Sequence, residues 1–487
     1  MLSILVAHSY FLRFDRKQYE RAKPYPPLAT LQVAAMLRQS GHAVHVFDAM
    51  LASGIDEYAQ LLRKVQPQLV LFYEDSFNFL SKMCLERMRD ASCEMIGLAR
   101  QVGARAIAVG SDATDAPDPY LRAGADSVLF GEALQTVLAL TQRIDVDPNI
   151  PTSRLIEGEV GLASLIDGQV IALRTARPIP SRKQVESPAW DLIDLERYRA
   201  MWQRARGYFS LNMAASRGCS FRCNWCSKPI WGNQYLQRDA RDVAAEMIDL
   251  KLRFKPDHIW FADDIFGFRP DWVTEFGDAT RAAGGPLPFT IQTRADLISV
   301  SMASALEHAG CAEAWIGAES GSQRVLDAMN KGTTIQEIRT ARARLKGHGI
   351  RVGFFIQLGY VGEALEDILA TRALIDEAMP DEVGVSVSYP LPGTPFYNQV
   401  KRQLGQKTHW KESSDLEMMF HGTYVSDFYR TVRDLLHERI SAERLPATHL
   451  GDERRRAIES LESRWDNLIA HEHVYRRELG VGAIAVN

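Results

Sequence analysis

The sequence lacks the marks of a secreted or membrane-spanning protein. It begins Met-Leu-Ser-Ile-Leu-Val-Ala-His, without the cationic start, the longer apolar region and the small-residue cleavage site of a secretion signal. No apolar run approaches the roughly 18 residues that a membrane-spanning helix needs. We therefore expect a cytoplasmic protein with no transmembrane segment.

The sequence also lacks an excess of positive charge and has few cysteines. The 57 Lys and Arg residues are outnumbered by 61 Asp and Glu residues, and no long basic run offers a surface for nucleic acid or another polyanion. The chain has only 6 cysteines, three clustered and three scattered, which is not the disulfide framework of a small secreted domain. The scattered Cys84, Cys93 and Cys311 are expected to be buried free thiols.

The composition is that of a globular protein with a large core. Hydrophobic residues make up 46% of the chain and charged residues 24%. A chain of 487 residues is too long for one ordinary core, so that about two to three domains are expected. The patterns along the chain divide it into a first domain at 1–145, a linker at 146–207, a second domain at 208–398 and a helical C-terminal region at 399–487.

The first 145 residues alternate short β-branched runs with amphipathic stretches. This alternation predicts an α/β domain with a parallel, doubly wound, Rossmann-like sheet, whose ligands lie at the carboxyl ends of the strands. Strands are predicted at 2–7, 43–47, 69–73, 106–109 and 127–130, and helices at 28–38, 55–65, 80–101 and 117–123.

After a Pro- and Gly-containing linker with a small hairpin at 160–173, strands and helices alternate again. Six strands predict a partial (β/α)6 barrel of the TIM type, with its chemistry on the loops that follow the strands. The strands are predicted at 208–213, 258–261, 289–292, 314–317, 352–357 and 383–388, and the helices at 243–254, 272–282, 302–309, 335–348 and 365–378.

The last 89 positions, 399–487, are rich in charged and aromatic residues and predict helices, best defined at 432–440 and 453–468. Their Met and aromatic side chains have two interpretations. They either pack as helices that cover the mouth of the barrel, or they form a lid that contacts a substrate. Such a stripe is more often core than pocket.

Three cysteines follow the first predicted barrel strand in a CxxxCxxC spacing: Cys219, Cys223 and Cys226. A four-iron four-sulfur cluster normally takes four thiolates, so that three would leave one iron open to a ligand that is not protein. A scattered cysteine as the fourth ligand is a weaker alternative. A structural zinc site is another, but it would need further Cys or His ligands, and His258, the nearest downstream histidine, lies beyond a whole helix.

The cysteine spacing, with the aromatic Trp225 before the last cysteine, resembles that of the radical S-adenosylmethionine (SAM) enzymes. The resemblance implies a [4Fe-4S] cluster whose open iron chelates the methionine amine and carboxylate of SAM. It further implies that an electron from the cluster cleaves SAM to a 5′-deoxyadenosyl radical. An external electron donor of flavodoxin or ferredoxin type is then expected.

Residues at the other strand ends resemble SAM-binding segments of that family. Trp225 accompanies the cluster, and an Ala-Asp-Asp sequence stands where the family often has Gly-Gly-Glu. The alternative for each charged residue is a helix cap or a surface ion pair. The resemblance assigns the methionine amine to Asp263 or Asp264, the carboxylate to Arg294, the ribose hydroxyls or the amine to Glu319 and Ser320, and the adenosine to the backbone at Gly359.

Several segments of the first domain resemble the cobalamin-binding domain that precedes many radical SAM enzymes, namely 26–31, 41–49, 110–114 and 125–132. The loop at 8–13 lacks the Asp-x-His-x-x-Gly motif whose imidazole binds cobalt, so that no histidine is expected in the lower axial position. The alternative is an ordinary flavodoxin-like sheet whose glycines merely turn the chain. The candidate cobalamin contacts are Tyr10, Glu74, Ser76, Gly110, Ser111, Gly131 and Glu132.

Together these resemblances imply a cobalamin-dependent radical SAM enzyme. The expected reaction is methyl transfer to an unactivated carbon of a small-molecule, lipid or peptide substrate. A cobalamin-dependent radical cyclase or rearranging enzyme, similar to the anaerobic porphyrin ring cyclase, is the second interpretation. A corrinoid-binding sensor or carrier with a structural cluster is the alternative that is not an enzyme, and the open iron site disfavours it.

Overall fold

The computed structural model of the protein describes residues 1–83, 85–173, 187–226, 234–444 and 451–477. Within them the chain forms two α/β units, each with its own sheet, followed by a helical C-terminal region. The predicted combination of a doubly wound sheet, a partial barrel of six parallel strands and C-terminal helices is confirmed.

The described part of the first sheet has seven strands: β1 (Ser3–Ala7), β2 (Ala43–Phe47), β3 (Leu69–Tyr73), β4 (Arg105–Val109), β5 (Ser127–Leu129), β6 (Leu162–Ile166) and β7 (Gln169–Leu173). Their spatial order is β2-β1-β3-β4-β5-β6-β7. Strands β1 to β5 are parallel, and the hairpin β6-β7 continues the sheet antiparallel to β5. All five residues of β3 are buried, as expected for a parallel strand that helices cover on both faces.

One helix of this unit differs from its prediction. The stretch predicted as a single helix at 80–101 is two helices, and the second starts where the amide of Glu86 donates to the carbonyl of Trp410 in the C-terminal region (2.7 Å). The described helices are α1 (Arg16–Arg21), α2 (Leu28–Gln39), α3 (Ile55–Val65), α4 (Phe79–Lys82), α5 (Glu86–Gln101), α6 (Ser111–Asp115), α7 (Pro117–Arg122), α8 (Leu134–Val146), α9 (Thr152–Leu155) and α10 (Leu195–Arg206).

The described strands of the second unit are β8 (Ser210–Met213), β9 (Ser216–Gly218), β10 (Tyr235–Gln237), β11 (His258–Phe261), β12 (Phe289–Thr293), β13 (Cys311–Glu319), β14 (Arg351–Leu358) and β15 (Glu382–Val387). Strands β9 and β10 form an antiparallel ribbon. The other six form a parallel sheet in the order β15-β14-β13-β12-β11-β8. Each of these strands pairs with its neighbour in sequence, as in a barrel of alternating strands and helices.

The barrel helices begin and end at local signals. The hydroxyl of Ser299 accepts a hydrogen bond from the amide of Met302 (3.0 Å), and Gly310 ends the same helix with a φ of 90°. The described helices of this unit are α11 (Ala240–Phe254), α12 (Pro270–Ala282), α13 (Val300–Ala309), α14 (Gln323–Ala328), α15 (Ile335–Gly347), α16 (Leu365–Ala378) and α17 (Pro395–Val400).

The two faces of the barrel strands differ in burial. Along β15 the residues alternate between half-buried and buried, and the buried Val383, Val385 and Val387 belong to the large core that the strands share with the helices. Gly384 and Ser386 point to the opposite, inner face. The strands therefore enclose a lumen that the core does not fill.

The C-terminal helices described are α18 (Ser426–Glu443), α19 (Gly451–Ala470) and α20 (Glu472–Tyr475). Met418, Phe420 and Trp465 are buried in the same core as the barrel, which confirms that this Met and aromatic stripe is core. Among the residues that the structure describes, none of the helices combines the length and the apolar character needed to cross a bilayer.

Candidate active site

The three clustered cysteines lie on the loop between β9 and β10, at the carboxyl-terminal end of the barrel. Gly218, which precedes Cys219, is paired with Tyr235 of β10 and has a φ of 74°, a conformation that favours glycine. Cys219 is buried, Cys223 and Cys226 are half-buried, and none of the three forms a disulfide with another described cysteine. The ribbon therefore presents the thiols together on one loop at the mouth of the barrel.

The elements after β13 and β15 hold this cysteine loop in place. The amide of Asn224 donates to the carbonyl of Met329 (3.0 Å), and its side chain donates to the carbonyl of Ala328 (2.7 Å), both just after or at the end of α14. The carbonyl of Asn224 accepts from the amide of Phe396 on α17 (3.0 Å). These contacts fix the loop before any cofactor binds.

The donor set suits an iron-sulfur cluster. Three cysteine thiols lie on one loop, and in a four-iron cluster each thiolate binds a different iron, so that three thiolates leave one iron open.

The scattered cysteines differ among themselves. Cys311 is a buried free thiol, as predicted, at the start of β13 and so at the end of the barrel away from the cysteine loop. Cys93 is free but only half-buried, and burial raises the pKa of its thiol to about 11. Cys84 lies outside the described residues. The position of Cys311 argues against a role as fourth cluster ligand.

Arg294, the candidate partner of the SAM carboxylate, is buried against the cysteine loop. Its guanidinium lies 3.7 Å from the centre of the Phe221 ring, and Nη1 lies 3.7 Å from the Sγ of Cys223. It also donates to the carboxylate of Asp296 (2.9 Å) and to the carbonyl of Lys331 (2.7 Å). Arg294 therefore joins the cysteine loop to the segments that follow β12 and α14.

Glu319 and Lys331 form a buried ion pair beside the loop. Nζ of Lys331 lies 2.7 Å from Oε1 of Glu319, and each residue is about 95% buried. Glu319 has a φ of 59° at a register shift between β13 and β14. Burial alone would lower the pKa of Lys331, but the negative charges of Glu319 and Cys223 raise it overall. Lys331, a functional candidate that the sequence did not single out, is thus a cation near the cysteines.

Other predicted SAM contacts are occupied by the scaffold. Asp263 accepts from the amide of Ala215 (3.0 Å) and from the hydroxyl of Ser216, and burial raises the pKa of its carboxyl to about 6. Ser320 is fully buried and bonds to Thr371 (3.2 Å). Asp263 therefore positions the start of β9.

The other predicted SAM contacts, Asp264, Trp225 and Gly359, lie at the same carboxyl-terminal edge of the barrel and differ in burial and packing. Asp264 and Trp225 are half-buried, and the buried Nε1 of Trp225 has no hydrogen-bond partner in the described structure. Gly359 has a φ of 73°, and a Cβ built there would lie 2.9 Å from the sulfur of Met418. The C-terminal region therefore packs where an adenosine was predicted.

Glu363, next to these residues, is a second candidate that the predictions did not single out. It is completely buried at the end of β14, accepts a hydrogen bond from the amide of Gly359, and has no partner for Oε1 among the described residues. Burial raises the pKa of its carboxyl to about 8. Its sequence position after two glycines indicated a turn, and only the fold shows the burial.

The edge of the first sheet brings the predicted cobalamin contacts together. Glu74 accepts from the amide (3.0 Å) and hydroxyl (2.6 Å) of Ser9, and a Cβ at Gly110 would lie 3.0 Å from the Glu74 side chain. The hydroxyl of Ser76 is buried without a described partner. Gly131 has a φ of 73° after β5. The remaining contacts are Ser111 at the start of α6, Glu132 beside Gly131, and Tyr10, which donates to Asp15 (3.4 Å).

His8 is a polar strand-end residue bound within the protein, as predicted. Its Nε2 lies 3.0 Å from Asp48 and accepts from the amide of Ala49 (3.0 Å). The hydroxyl of Tyr198 on α10 donates to the same aspartate (2.7 Å). Burial opposes the protonation of His8, but Asp48 raises its pKa overall. These contacts tie the linker helix to the edge of the first sheet.

A buried ion pair connects the two strand edges. Arg217, two residues before Cys219, donates to the carboxylate of Glu132 and to the side-chain oxygen of Gln32, and its guanidinium lies 5.1 Å from the centre of the Phe77 ring. Arg217 and Glu132 are 5% and 6% exposed. Burial lowers the pKa of Arg217 to about 10. The candidate cobalamin edge is therefore in direct contact with the cysteine loop.

Residues 213–375, which include the cysteine loop and most of the barrel, match the family model of the radical SAM superfamily. This part of the chain is a radical SAM domain. The domain implies SAM and a [4Fe-4S] cluster as cofactors, and the resemblance seen in the cysteine spacing is confirmed.

Two relatives of similar sequence cover about four fifths of the chain. An uncharacterized methyltransferase of Pyrococcus horikoshii is 24% identical over 403 residues, which are 80% of this chain and 82% of the relative. The anaerobic magnesium-protoporphyrin IX monomethyl ester cyclase of Cereibacter sphaeroides is 24% identical over 395 residues, which are 79% of this chain but only 62% of the cyclase.

Two solved structures share the fold across both units. The radical SAM methyltransferase TsrM of Kitasatospora setae, solved with cobalamin and a [4Fe-4S] cluster, has a TM-score of 0.65 at 17% identity and covers 82% of this chain and 77% of its own. The cobalamin-dependent radical SAM enzyme OxsB has a TM-score of 0.70 at 13% identity and covers 94% and 70%. The two-unit fold of this chain is therefore shared with these two structures.

Proposed function

We propose that the protein is a cobalamin-dependent radical SAM methyltransferase that acts on an unactivated carbon. The observation that carries this proposal is the contact between Arg217 and Glu132, because it brings the cysteine loop of the radical SAM domain to the ligand edge of the first sheet. The similarity to a methyltransferase over 80% of the chain supports the reaction type.

The cluster and SAM would be held at the mouth of the barrel. Cys219, Cys223 and Cys226 would bind three irons of the cluster, with Trp225 beside the last of them. Asp263 or Asp264 would hold the methionine amine: Asp263 accepts from Ala215 and Ser216, and Asp264 is half-buried at the same strand end. Arg294 and Glu319 are the further candidate SAM contacts. Ser320, bonded to Thr371, and Gly359, packed against Met418, would shape the site from behind rather than contact SAM.

The structure gives Arg294 and Glu319 contacts that the sequence did not predict. Arg294 already has protein partners, so that its main action would be to hold Phe221 and the cysteine loop. The buried ion pair of Glu319 and Lys331 places a negative and a positive charge side by side next to the cysteine loop. Lys331 could therefore neutralise a carboxylate or the negative charge of a cluster thiolate.

The edge of the first sheet fits cobalamin. Gly131 has a φ of 73° after β5, and Gly110 lets the side chain of Glu74 pack against the backbone. The hydroxyl of Ser76 and Oε2 of Glu132 are buried without described partners, and a ligand at this edge could supply them. Tyr10, Glu74 and Ser111 complete the candidate contacts. His8 is engaged by Asp48 and Ala49, which supports a cobalt without a histidine ligand below it. When bound, the cofactors supply a 5′-deoxyadenosyl radical and a transferable methyl group.

The substrate would be a small molecule, a lipid or a peptide, and an external flavodoxin or ferredoxin would supply electrons. The functional units would be a cobalamin-binding domain at 1–145, a linker at 146–207, the barrel at 208–398 and the C-terminal region at 399–487. A radical cyclase is the second candidate, because the ring cyclase of C. sphaeroides is similar over 79% of this chain. It ranks second because the chain spans only 62% of that enzyme.

Anaerobic reconstitution tests the proposal. The protein is loaded with iron, sulfide and hydroxocobalamin and desalted, and dithionite and SAM are then added. We expect retained corrinoid in the absorption spectrum and release of 5′-deoxyadenosine. Well-loaded protein that releases neither 5′-deoxyadenosine nor methionine, even with candidate substrates present, would contradict the radical mechanism. Retained corrinoid without SAM cleavage would instead favour a carrier or sensor.

Methyl-labelled SAM distinguishes the two enzymatic candidates. Label in the product of a turnover identifies a methyltransferase. A product that gains a ring without label identifies a cyclase.

A further inference from the structure

The inner face of the barrel carries aromatic side chains that the hydrophobic core does not use. These side chains are Trp260 on β11, Trp315 on β13 and Phe355 on β14. Their neighbours along each strand belong to the core between strands and helices, and they themselves do not. Trp260 and Phe355 are half-buried. The ring of Tyr25 packs against Trp260, with ring centres 6.0 Å apart, so that Trp315 and Phe355 supply the aromatic surface of the lumen.

Two glycines seat the indole of Trp315 flat on the barrel wall. Gly353 is the register partner of Trp315 on β14, and a Cβ built there would lie 2.5 to 2.7 Å from three atoms of the indole ring. A Cβ at Gly384 on β15 would lie 3.2 Å from the same ring. Phe355 lies beside it, with ring centres 4.8 Å apart at 30°. The result is a broad aromatic surface across three strands.

The same lumen contains buried polar atoms without partners. The Oε1 of Gln357 and the hydroxyl of Ser388 have no hydrogen-bond partner among the described residues, and these residues are 5% and 1% exposed. Gln357 is two residues beyond Phe355 and paired with Ser386, so that it points to the inner face. A buried acceptor without a donor is costly, and a ligand that supplies a donor would offset that cost.

A second buried acceptor without a described partner, Oδ1 of Asn212, lies on the other side of the lumen. Asn212 pairs with Trp260, and its side-chain nitrogen donates to the carbonyl of Pro26 (2.9 Å). That contact assigns the amide orientation and leaves Oδ1 as a buried acceptor without a described partner. Acceptors therefore flank the aromatic surface on both sides.

Charged groups lie above and below this layer rather than within it. At the lower end, Glu313 lies 3.7 Å from Arg351, and burial lowers the pKa of His258 to about 4, which keeps it neutral at pH 7. At the upper end, Glu319 and Lys331 neutralise each other. The described middle of the lumen offers aromatic faces and neutral acceptors.

We propose that the lumen binds a planar, uncharged aromatic or N-heteroaromatic ring that carries an N–H or O–H donor. The aromatic surface of Trp315 and Phe355 stacks on the ring, and Gln357 or Asn212 accepts its hydrogen bond. This inference rests on the proposed function, because the ring would be the part of the substrate that positions the reacting carbon at the mouth of the barrel.

Three two-ring probes test the inference on the reconstituted protein by saturation-transfer NMR titration. They are 2-naphthol, 2-methoxynaphthalene without the donor, and decahydro-2-naphthol without the flat ring. We expect 2-naphthol to bind roughly fivefold more tightly than either of the others, since a stacked ring and a hydrogen bond each contribute about 1 kcal/mol, which is about fivefold in affinity. Equal binding of all three, or tightest binding of the saturated alcohol, would overturn the proposal.

Variants locate the binding. W315L is expected to weaken 2-naphthol roughly fivefold, whereas W272L, a buried tryptophan on α12 outside the lumen, leaves it unchanged. Gln357→Leu should weaken 2-naphthol but not 2-methoxynaphthalene, and Gln101→Leu on the surface should affect neither. Loss of binding in W272L equal to that in W315L would show a general destabilisation and contradict the lumen site.

Release of 5′-deoxyadenosine by the same samples separates this inference from the proposed function. Wild-type protein that cleaves SAM but does not prefer 2-naphthol contradicts the ring site alone. Protein that binds 2-naphthol through Trp315 but never cleaves SAM retains the ring site and contradicts the proposed enzyme.

Discussion

The edge of the first sheet and the lumen of the barrel differ in how far their polar side chains find hydrogen-bond partners within the protein. At the first edge, Asp48 accepts from the hydroxyl of Tyr198 and lies 3.0 Å from Nε2 of His8, and Glu74 accepts from Ser9. Most of these side chains are already held by the protein. In the lumen, the oxygens of Gln357 and Asn212 have no described partner. The hydroxyl of Ser76 and Oε2 of Glu132 at the first edge also lack a described partner. The first edge, called the rim below, therefore combines side chains that the protein already holds with two atoms left for a ligand, whereas the aromatic layer of the lumen leaves its acceptors to the ligand.

The largest effect is expected for C223A, which should abolish SAM cleavage in the barrel and leave the rim of the first sheet intact. In C223A one cluster ligand is lost, and we expect no measurable 5′-deoxyadenosine and no signal of the reduced cluster in electron paramagnetic resonance. Retention of hydroxocobalamin should be unchanged, because the rim does not contain Cys223.

C93A is the matched control for that variant, since Cys93 is a half-buried thiol on α5 away from the cysteine loop. It should release 5′-deoxyadenosine at the wild-type rate. Normal turnover by C223A would remove the cluster from the mechanism.

The next largest effect breaks the bridge between the two regions. E132Q leaves the guanidinium of Arg217 buried without its carboxylate, and removal of one partner from a buried pair costs about 3 to 5 kcal/mol. We expect the urea midpoint to fall and corrinoid retention to weaken together.

The exposed pair of Arg38 and Asp191, with side chains 44% and 56% exposed, supplies the comparison. D191N should cost at most about 1 kcal/mol. If E132Q lowered the midpoint no more than D191N does, the buried pair would not be the link that joins the rim to the cysteine loop.

Local patterns predicted the strands, the helices and the cysteine loop, because periodicity and spacing are properties of short segments. They did not identify Lys331, whose partner Glu319 is brought beside it only by the turn of α14. Arg217 lies two residues before the cysteine motif, but its partner Glu132 is 85 residues away.

The aromatic surface of the lumen escaped prediction for the same reason. Trp315 depends on the glycines at 353 and 384, which lie on two later strands. Each glycine alone resembles an ordinary strand residue, and only parallel pairing places them under one indole. Residues that act through partners distant in sequence were the ones that sequence patterns did not reveal.

A pH titration sharpens the comparison at Glu363, where a carboxyl without a full set of partners is buried under the barrel mouth. Burial raises its pKa from 4.5 to about 8. The folded protein therefore holds a proton that the unfolded chain releases between these values, and stability falls as the pH rises toward 8. At about 1.4 kcal/mol per pH unit, the loss between pH 6 and pH 8 is about 2 to 3 kcal/mol.

E363Q has no such proton, so that its free energy of unfolding should lack this part of the pH dependence. The difference between wild type and E363Q, from urea denaturation at each pH, isolates the contribution of Glu363 from other titrating groups. A difference that stays constant from pH 6 to pH 8 would show that the carboxyl is not protonated in the folded protein.

The smallest effect concerns a neutral contact between the first unit and the lower end of the lumen. The hydroxyl of Tyr25 lies 3.1 Å from that of Ser210, which also lies 2.8 Å from Nδ1 of His258. Because Ser210 keeps a second partner, Y25F should cost only about 1 kcal/mol, with no change in corrinoid retention. Y19F, at a 43% exposed tyrosine, should cost nothing measurable. A loss in Y25F as large as that in E132Q would mean that neutral contacts hold the two units together as firmly as the buried ion pair.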